Sequence, residues 1–204
     1  MFENIYNKIE EKKLIGVVRD SDYARVLDIA NAFIEGGIEI IEITLENNYS
    51  LMAIEKISKN TDILVGAGSI ITTGQAEKAV AAGAKYLASP VLEMNLVRLS
   101  KSYKIPVITS SSTTNEAYQA WKSGVKYIKL FPASDMGGAD YVRDILKAMP
   151  FLKLIPTSGV SPDDFKDYLD SGAIAVGIGR SFYKDLSYNE IVEKVKKAKE
   201  SLNN

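Results

Sequence analysis

The sequence predicts an α/β fold, a compact (β/α)8 TIM barrel with a short N-terminal helix, and residues 1–204 read as one domain. Three observations predict it. Eight short apolar runs alternate with longer stretches of helical periodicity, and strictly alternating βα units imply a parallel sheet covered by helices. A helix-stop glycine followed at once by a strand recurs at Gly37, Gly83, Gly124 and Gly172, every 41 to 48 residues, or two βα units per period. Four such periods fit a closed eight-unit barrel better than an open sheet with unlike edges. The length of 204 residues sits at the lower bound of roughly 200 for that fold.

The elements follow in order. Met1 to Lys13 is mixed in charge and amphipathic, unlike a signal peptide, and reads as a helix capping the barrel bottom. Strands are expected at Leu14–Val18, Ile38–Ile43, Ile63–Val65, Lys85–Ala88, Pro106–Thr109, Lys126–Leu130, Lys153–Ile155 and Ile174–Val176. Ala24, Leu27, Ile29, Ala30, Phe33 and Ile34 carry helical spacing between the first two. Capping boxes are expected at Thr72/Gln75, Thr113/Glu116 and Ser187/Glu190. Ser161-Pro162 reads as an N-cap with proline at the first helical position. In the last helix, Glu190 with Lys194 and Glu193 with Lys197 form the outer face, leaving Ile191, Val195, Ala198 and Leu202 inside.

Composition removes whole classes of chemistry. Cysteine and histidine are both absent, which excludes disulfides, thiolate nucleophiles, Cys or His metal ligation and imidazole acid–base catalysis. Proton transfer is left to carboxylates, lysine, tyrosine, hydroxyls or water. With 25 basic and 26 acidic residues the net charge is −1, which gives no basic field for nucleic acid. No run approaches the roughly 18 apolar residues of a membrane-spanning helix, and the expected compartment is the cytoplasm.

In a barrel, functional groups gather at the strand C-termini. Lys129 interrupts the apolar run Tyr-Ile-Lys-Leu-Phe-Pro. A lysine facing the barrel interior is desolvated, which favours the free amine and prepares a Schiff-base nucleophile; facing outward, it would only pass between helices. Glu42, in Ile-Ile-Glu-Ile-Thr-Leu, must be paired or exchange protons. It is the natural acid–base group in a chain without histidine, or else a structural ion-pair partner; Glu39, at the strand start, fits stability better. Gly66-Ala67-Gly68-Ser69 brings bare backbone and a hydroxyl to the top face. Thr157-Ser158-Gly159 and Gly177-Ile178-Gly179-Arg180-Ser181 follow strands seven and eight, where barrels bind phosphate. Arg180 adds a cation there, and Arg19, closing the first strand, is a second candidate.

These motifs resemble the class I 2-keto-3-deoxy-6-phosphogluconate and 4-hydroxy-2-oxoglutarate aldolase family. The resemblance runs from about Leu14 to Phe182 through Gly16-Val-Val-Arg19, Ile41-Glu42-Ile43-Thr44-Leu45, Gly66-Ala67-Gly68-Ser69, Ser89-Pro90, Lys129-Leu130-Phe131-Pro132-Ala133, Pro156-Thr157-Ser158-Gly159 and Gly177-Ile178-Gly179. It implies that Lys129 forms an imine with an α-keto group and that Glu42 shuttles protons, with no cofactor or metal. It also implies a substrate shell of Arg19, Thr44, Ser69, Pro90, Phe131 and Thr157. The phosphate site would be Thr157, Ser158, Gly159, Gly177, Gly179 and Arg180. The partner implied is a small phosphorylated keto acid, and the assembly a homotrimer.

The chain departs from the family pattern at both ends of the substrate. Glu46 stands where the family carries an arginine for the pyruvate carboxylate, and Arg180 where its phosphate end carries a serine. Three readings follow: an aldolase for a 2-keto-3-deoxy-6-phospho sugar acid, with Arg19 or Arg180 compensating; a family member taking another anionic ketone; or a phosphate-sugar barrel without imine chemistry, either an isomerase using Glu42 or an anion-binding module.

Overall fold

The computed structural model describes residues 2–60 and 62–202. The chain runs α1 (Phe2–Lys12), β1 (Leu14–Val18), α2 (Tyr23–Glu35), β2 (Ile40–Thr44), α3 (Asn48–Ser58) and β3 (Leu64–Gly68). It continues with α4 (Thr73–Ala81), β4 (Tyr86–Ser89), α5 (Met94–Tyr103), β5 (Val107–Ser111), α6 (Thr114–Lys122) and β6 (Ile128–Leu130). Then come α7 (Gly138–Ala148), β7 (Leu154–Pro156), α8 (Phe165–Asp170), β8 (Val176–Ile178), a 3₁₀ turn (Arg180–Phe182) and α9 (Tyr188–Leu202). The strands pair in parallel in the order β7-β6-β5-β4-β3-β2-β1-β8. The seam between β7 and β8 closes through a Thr157–Gly177 bridge and a 3.0 Å bond from the Ile174 N–H to the Leu154 carbonyl. The expected eight-unit barrel is the observed one.

The four repeated glycines share one local geometry. Gly37, Gly83, Gly124 and Gly172 have φ of 100°, 104°, 89° and 102°, a region that side chains rarely enter. The residue after each donates its N–H back over the helix end: Ile38 to Phe33, Ala84 to Ala79, Val125 to Ala120 and Ala173 to Tyr168. This is the Schellman closure, and it turns each helix directly into the next strand. It also explains why β2 begins at Ile40 rather than Ile38, whose N–H is committed to the turn. The boxes at Thr72/Gln75 and Thr113/Glu116 form as expected.

Two local expectations are corrected. Ser161 does not cap a helix starting at Pro162. Its N–H and hydroxyl both bond Asp164 Oδ1, at 2.7 and 2.9 Å, and α8 starts only at Phe165. In α9, Glu190 turns back to the Ser187 N–H at 2.8 Å, and Lys194 donates to the Ser181 carbonyl at 2.7 Å. Glu193 pairs with Lys196 instead of Lys197, so tertiary and capping partners outcompete the i,i+4 pairs.

Alternation of side chains along each strand separates two cores. One lies between sheet and helices and includes Val18, Phe33, Ile43, Leu87 and Ile128. The other fills the barrel and includes Ile15, Ile40, Tyr86, Ile108, Tyr127 and Ile155, with Tyr6 and Ile9 of α1 closing its lower end. The Tyr6 and Tyr127 rings meet edge-on at 4.5 Å. Lys12 and Glu39 pair at 3.0 Å, consistent with a structural role for Glu39. The apolar floor leaves the polar chemistry to the upper layer.

The glycines fall into two classes with different expected costs. A Cβ on Gly124 meets nothing within 4 Å, so Gly124→Ala should lose only backbone strain, about 1–2 kcal/mol. A Cβ on Gly66 would lie 2.1 Å from Cζ of the buried Tyr86 ring. Gly66→Ala should therefore cost more than Gly124→Ala in urea unfolding, and equal costs would contradict this packing.

Candidate active site

Among the described residues, the upper layer holds one buried ion pair. Glu42 is the central residue of β2 and Lys129 of β6, strands four apart in an eight-stranded ring and hence on opposite walls. Inward pointing at both positions carries the two side chains to the barrel axis. Lys129 Nζ donates to Glu42 Oε1 at 2.5 Å, with side-chain exposures of 6% and 3%. Neither charge is solvated by bulk water, and each is the other's compensation. Of the two sequence alternatives for Glu42, the ion pair is the one the structure shows, with Lys129 as the partner.

Glycine on the neighbouring strand makes room for it. Gly68 stands on β3, and a Cβ there would lie 2.7 Å from Glu42 Oε1. Gly177 does the same for Thr157, whose Oγ1 would be 2.5 Å from a Cβ. The small residues at the strand tops open a cavity of about 410 Å³ above the ion pair, within the size range of small-molecule sites.

All the residues expected at the site line that cavity: Glu42 and Lys129 at its base, with Arg19, Thr44, Ser69, Pro90, Phe131, Thr157, Ser158, Gly159, Gly177, Gly179 and Arg180. Its two arginines differ in their partners. Arg19 Nη2 donates to Ser69 Oγ at 2.9 Å, and its Nη1 lies 3.5 Å from Glu46 Oε1. Thr44 Oγ1 is 3.2 Å from the same Glu46 oxygen. The mouth beside Arg19 is thus a neutralised cluster. Arg180, which follows the adjacent strand β8, has no ion-pair partner among the described residues, and Thr157, Ser158, Gly159, Gly177 and Gly179 line the same cavity. A three-residue 3₁₀ turn, not a long helix, follows Gly179, so backbone, hydroxyls and Arg180 supply the anion-attracting groups there.

Sequence reading missed several lining residues. Val17, Ala88, Ser110, Val160 and Tyr183 also line the cavity. Ser110 donates to the Ser89 carbonyl at 2.9 Å, and strand alternation from the inward Ile108 could have found Ser110. Tyr183 could not have been found that way. It arrives from beyond β8, and its hydroxyl takes the Arg19 N–H at 3.2 Å, a contact 164 residues apart in sequence.

The chain resembles proteins of known name over three quarters or more of its length. The KHG/KDPG aldolase of Escherichia coli (strain K12) is 32% identical over 154 residues, covering 75% of this chain and 71% of that one. The probable 2-dehydro-3-deoxy-6-phosphogalactonate aldolase of Rhizobium meliloti (strain 1021) is 32% identical over 178 residues, covering 85% and 83%. The fold superposes with a TM-score of 0.82 on the crystal structure of KDPG aldolase from Legionella pneumophila with pyruvate captured as a covalent carbinolamine intermediate, at 29% identity and covering 92% and 94%. The family profile "KDPG and KHG aldolase" matches residues 5–198, and the chain therefore belongs to that family of aldolases, carbon–carbon lyases.

Proposed function

We propose that the protein is a class I aldolase that cleaves a 2-keto-3-deoxy-6-phospho sugar acid, such as 2-keto-3-deoxy-6-phosphogluconate, to pyruvate and glyceraldehyde 3-phosphate, through an imine on Lys129. A related short substrate is 4-hydroxy-2-oxoglutarate. The observation that carries this reading is the buried Lys129–Glu42 contact at the base of the cavity. Glu42 Oε1 is in position to take a proton from Nζ and free the amine for attack on the keto carbon. The same oxygen returns the proton to the carbinolamine hydroxyl, which leaves as water and yields the imine. The protonated imine then draws electrons from the C3–C4 bond as a base removes the C4 hydroxyl proton. The aldehyde departs, C3 of the enamine is protonated, and water releases pyruvate from Lys129.

The phosphate of such a substrate suits the Arg180 side, where a guanidinium, two hydroxyls and open backbone are available. The cytosol remains the proposed compartment; among the described residues no helix is long and apolar enough to cross a membrane. A homotrimer is the proposed assembly.

The Arg19–Glu46 contact supports a second reading, in which the imine-forming ketone lacks a carboxylate. Arg19 is already partnered by Glu46 and Ser69, so a keto-acid carboxylate must compete for it with an anion built into the protein.

Borohydride reduction in the presence of pyruvate should add the mass of reduced pyruvate to the peptide carrying Lys129. An adduct with dihydroxyacetone phosphate and none with pyruvate would select the second reading, and no adduct with any ketone would remove the imine. Lys129→Met should abolish turnover. Glu42→Gln should lower kcat by roughly 10²–10⁴-fold, read in a coupled pyruvate assay. Because the imine supplies the electron sink, chelation with EDTA should leave kcat unchanged.

A further inference from the structure

The ion pair leaves half of Glu42 unaccounted for. Its Oε2 is buried without a hydrogen-bond partner, and so is the hydroxyl of Tyr86. Both residues point into the barrel, from β2 and β4, with β3 between them. The strand register aligns Gly66 of β3 with Glu42 on one side and with Tyr86 on the other. Gly66 has no side chain to intervene, and the hydroxyl-bearing carbon of the Tyr86 ring lies 2.1 Å from where its Cβ would be. The phenol therefore reaches across β3 toward the Glu42 carboxylate, which is the charged group acting on it. Leaving two buried polar atoms unpaired is costly, and one O–H···O bond between them satisfies both.

We propose that Tyr86 is the positioning residue of Glu42, donating its O–H to Oε2 so that Oε1 stays aimed at Lys129 and the reacting atoms. The inference rests on the reading of Glu42 as the proton carrier of the Lys129 imine. It assigns the two carboxylate oxygens different tasks, Oε2 held from below and Oε1 free to exchange protons above. Burial first, and then the Glu42 carboxylate, hold the Tyr86 phenol well above its ordinary range, so it remains a donor wherever the enzyme works. The titratable groups facing Glu42 are Lys129 from β6 and Tyr86 from β4; β1 presents Val17, β3 presents Gly66 and Gly68, and Arg19 is directed to Ser69 and Glu46.

Tyr86→Phe keeps the ring and removes only the hydroxyl, which bonds no backbone group. A donor lost from the charged form makes a carboxylate easier to protonate. The acid limb of kcat should therefore move to higher pH by on the order of one unit, with kcat at neutral pH down about tenfold and KM nearly unchanged. Without substrate, the infrared difference spectrum between wild type and Tyr86→Phe should carry a shifted carboxylate band, because carboxylates that do not touch Tyr86 cancel. An unshifted band together with an unmoved acid limb overturns the inference, even if the variant melts at a lower temperature. Borohydride trapping on wild-type Lys129 reads the imine separately. A shifted band without an adduct would remove the imine and keep the tether; an adduct with neither a shifted band nor a moved acid limb would do the reverse.

Discussion

The upper half of the barrel is organised around the contact between Lys129 and Glu42, two charges held 2.5 Å apart with almost no exposure. Desolvating both ions costs several kcal/mol each, and their attraction offsets this only when geometry is good and the partner is present. That condition constrains the surroundings. The strands bearing the pair must face each other across the axis, and the layer above must be open enough to admit a substrate. The layer below must be dry enough to keep the contact strong, a task met by Tyr127, Ile155 and the α1 residues Tyr6 and Ile9. A pair that holds a buried amine beside a carboxylate is a poor device for stability and a suitable one for chemistry.

Glycine is the second constraint. In the barrel interior each missing side chain is matched to a particular intruder: Gly66 to the Tyr86 ring, Gly68 to the Glu42 carboxylate, Gly177 to the Thr157 hydroxyl. The motif Gly66-Ala67-Gly68 falls beyond the strand expected at Ile63–Val65, yet it lies within and at the end of β3, and its glycines leave volume. The flexible-turn role belongs to the helix-ending glycines with positive φ. Residue type alone does not separate the two uses, since both rest on the absence of Cβ.

Charge around the cavity is distributed unevenly. On the β1–β2 side Arg19, Glu46, Thr44 and Ser69 satisfy one another, whereas Arg180 on the β8 side faces the cavity without an acidic partner among the described residues. Among the described residues lining the cavity, Arg180 is the arginine left unclaimed by a carboxylate. Arg19 is further fixed through its backbone by Tyr183, so this neutral cluster is anchored rather than loosely placed. Family membership gives the class of reaction, and this asymmetry is a feature of the cavity in which that class of reaction is proposed to occur.

The sequence by itself determined the fold class, because βα alternation and the repeated helix-stop glycines are local signals that tertiary packing had no reason to override. It also singled out Lys129 and Glu42, since a charge within an apolar strand is conspicuous against its neighbours. Strand ends were legible only within three residues, as at Ile38, where a turn hydrogen bond claims the backbone N–H, and at Val65, beyond which β3 runs on to Gly68. Only the tertiary structure decided which charges meet. The approach of Lys129 to Glu42 spans 87 residues, that of Tyr183 to Arg19 spans 164, and Arg19 reaches Glu46 across adjacent strands. It also decided that Tyr86, an ordinary strand aromatic in sequence, lies over Gly66 toward Glu42. Partners of this kind are fixed by barrel closure and strand register, and no local pattern of residues encodes them.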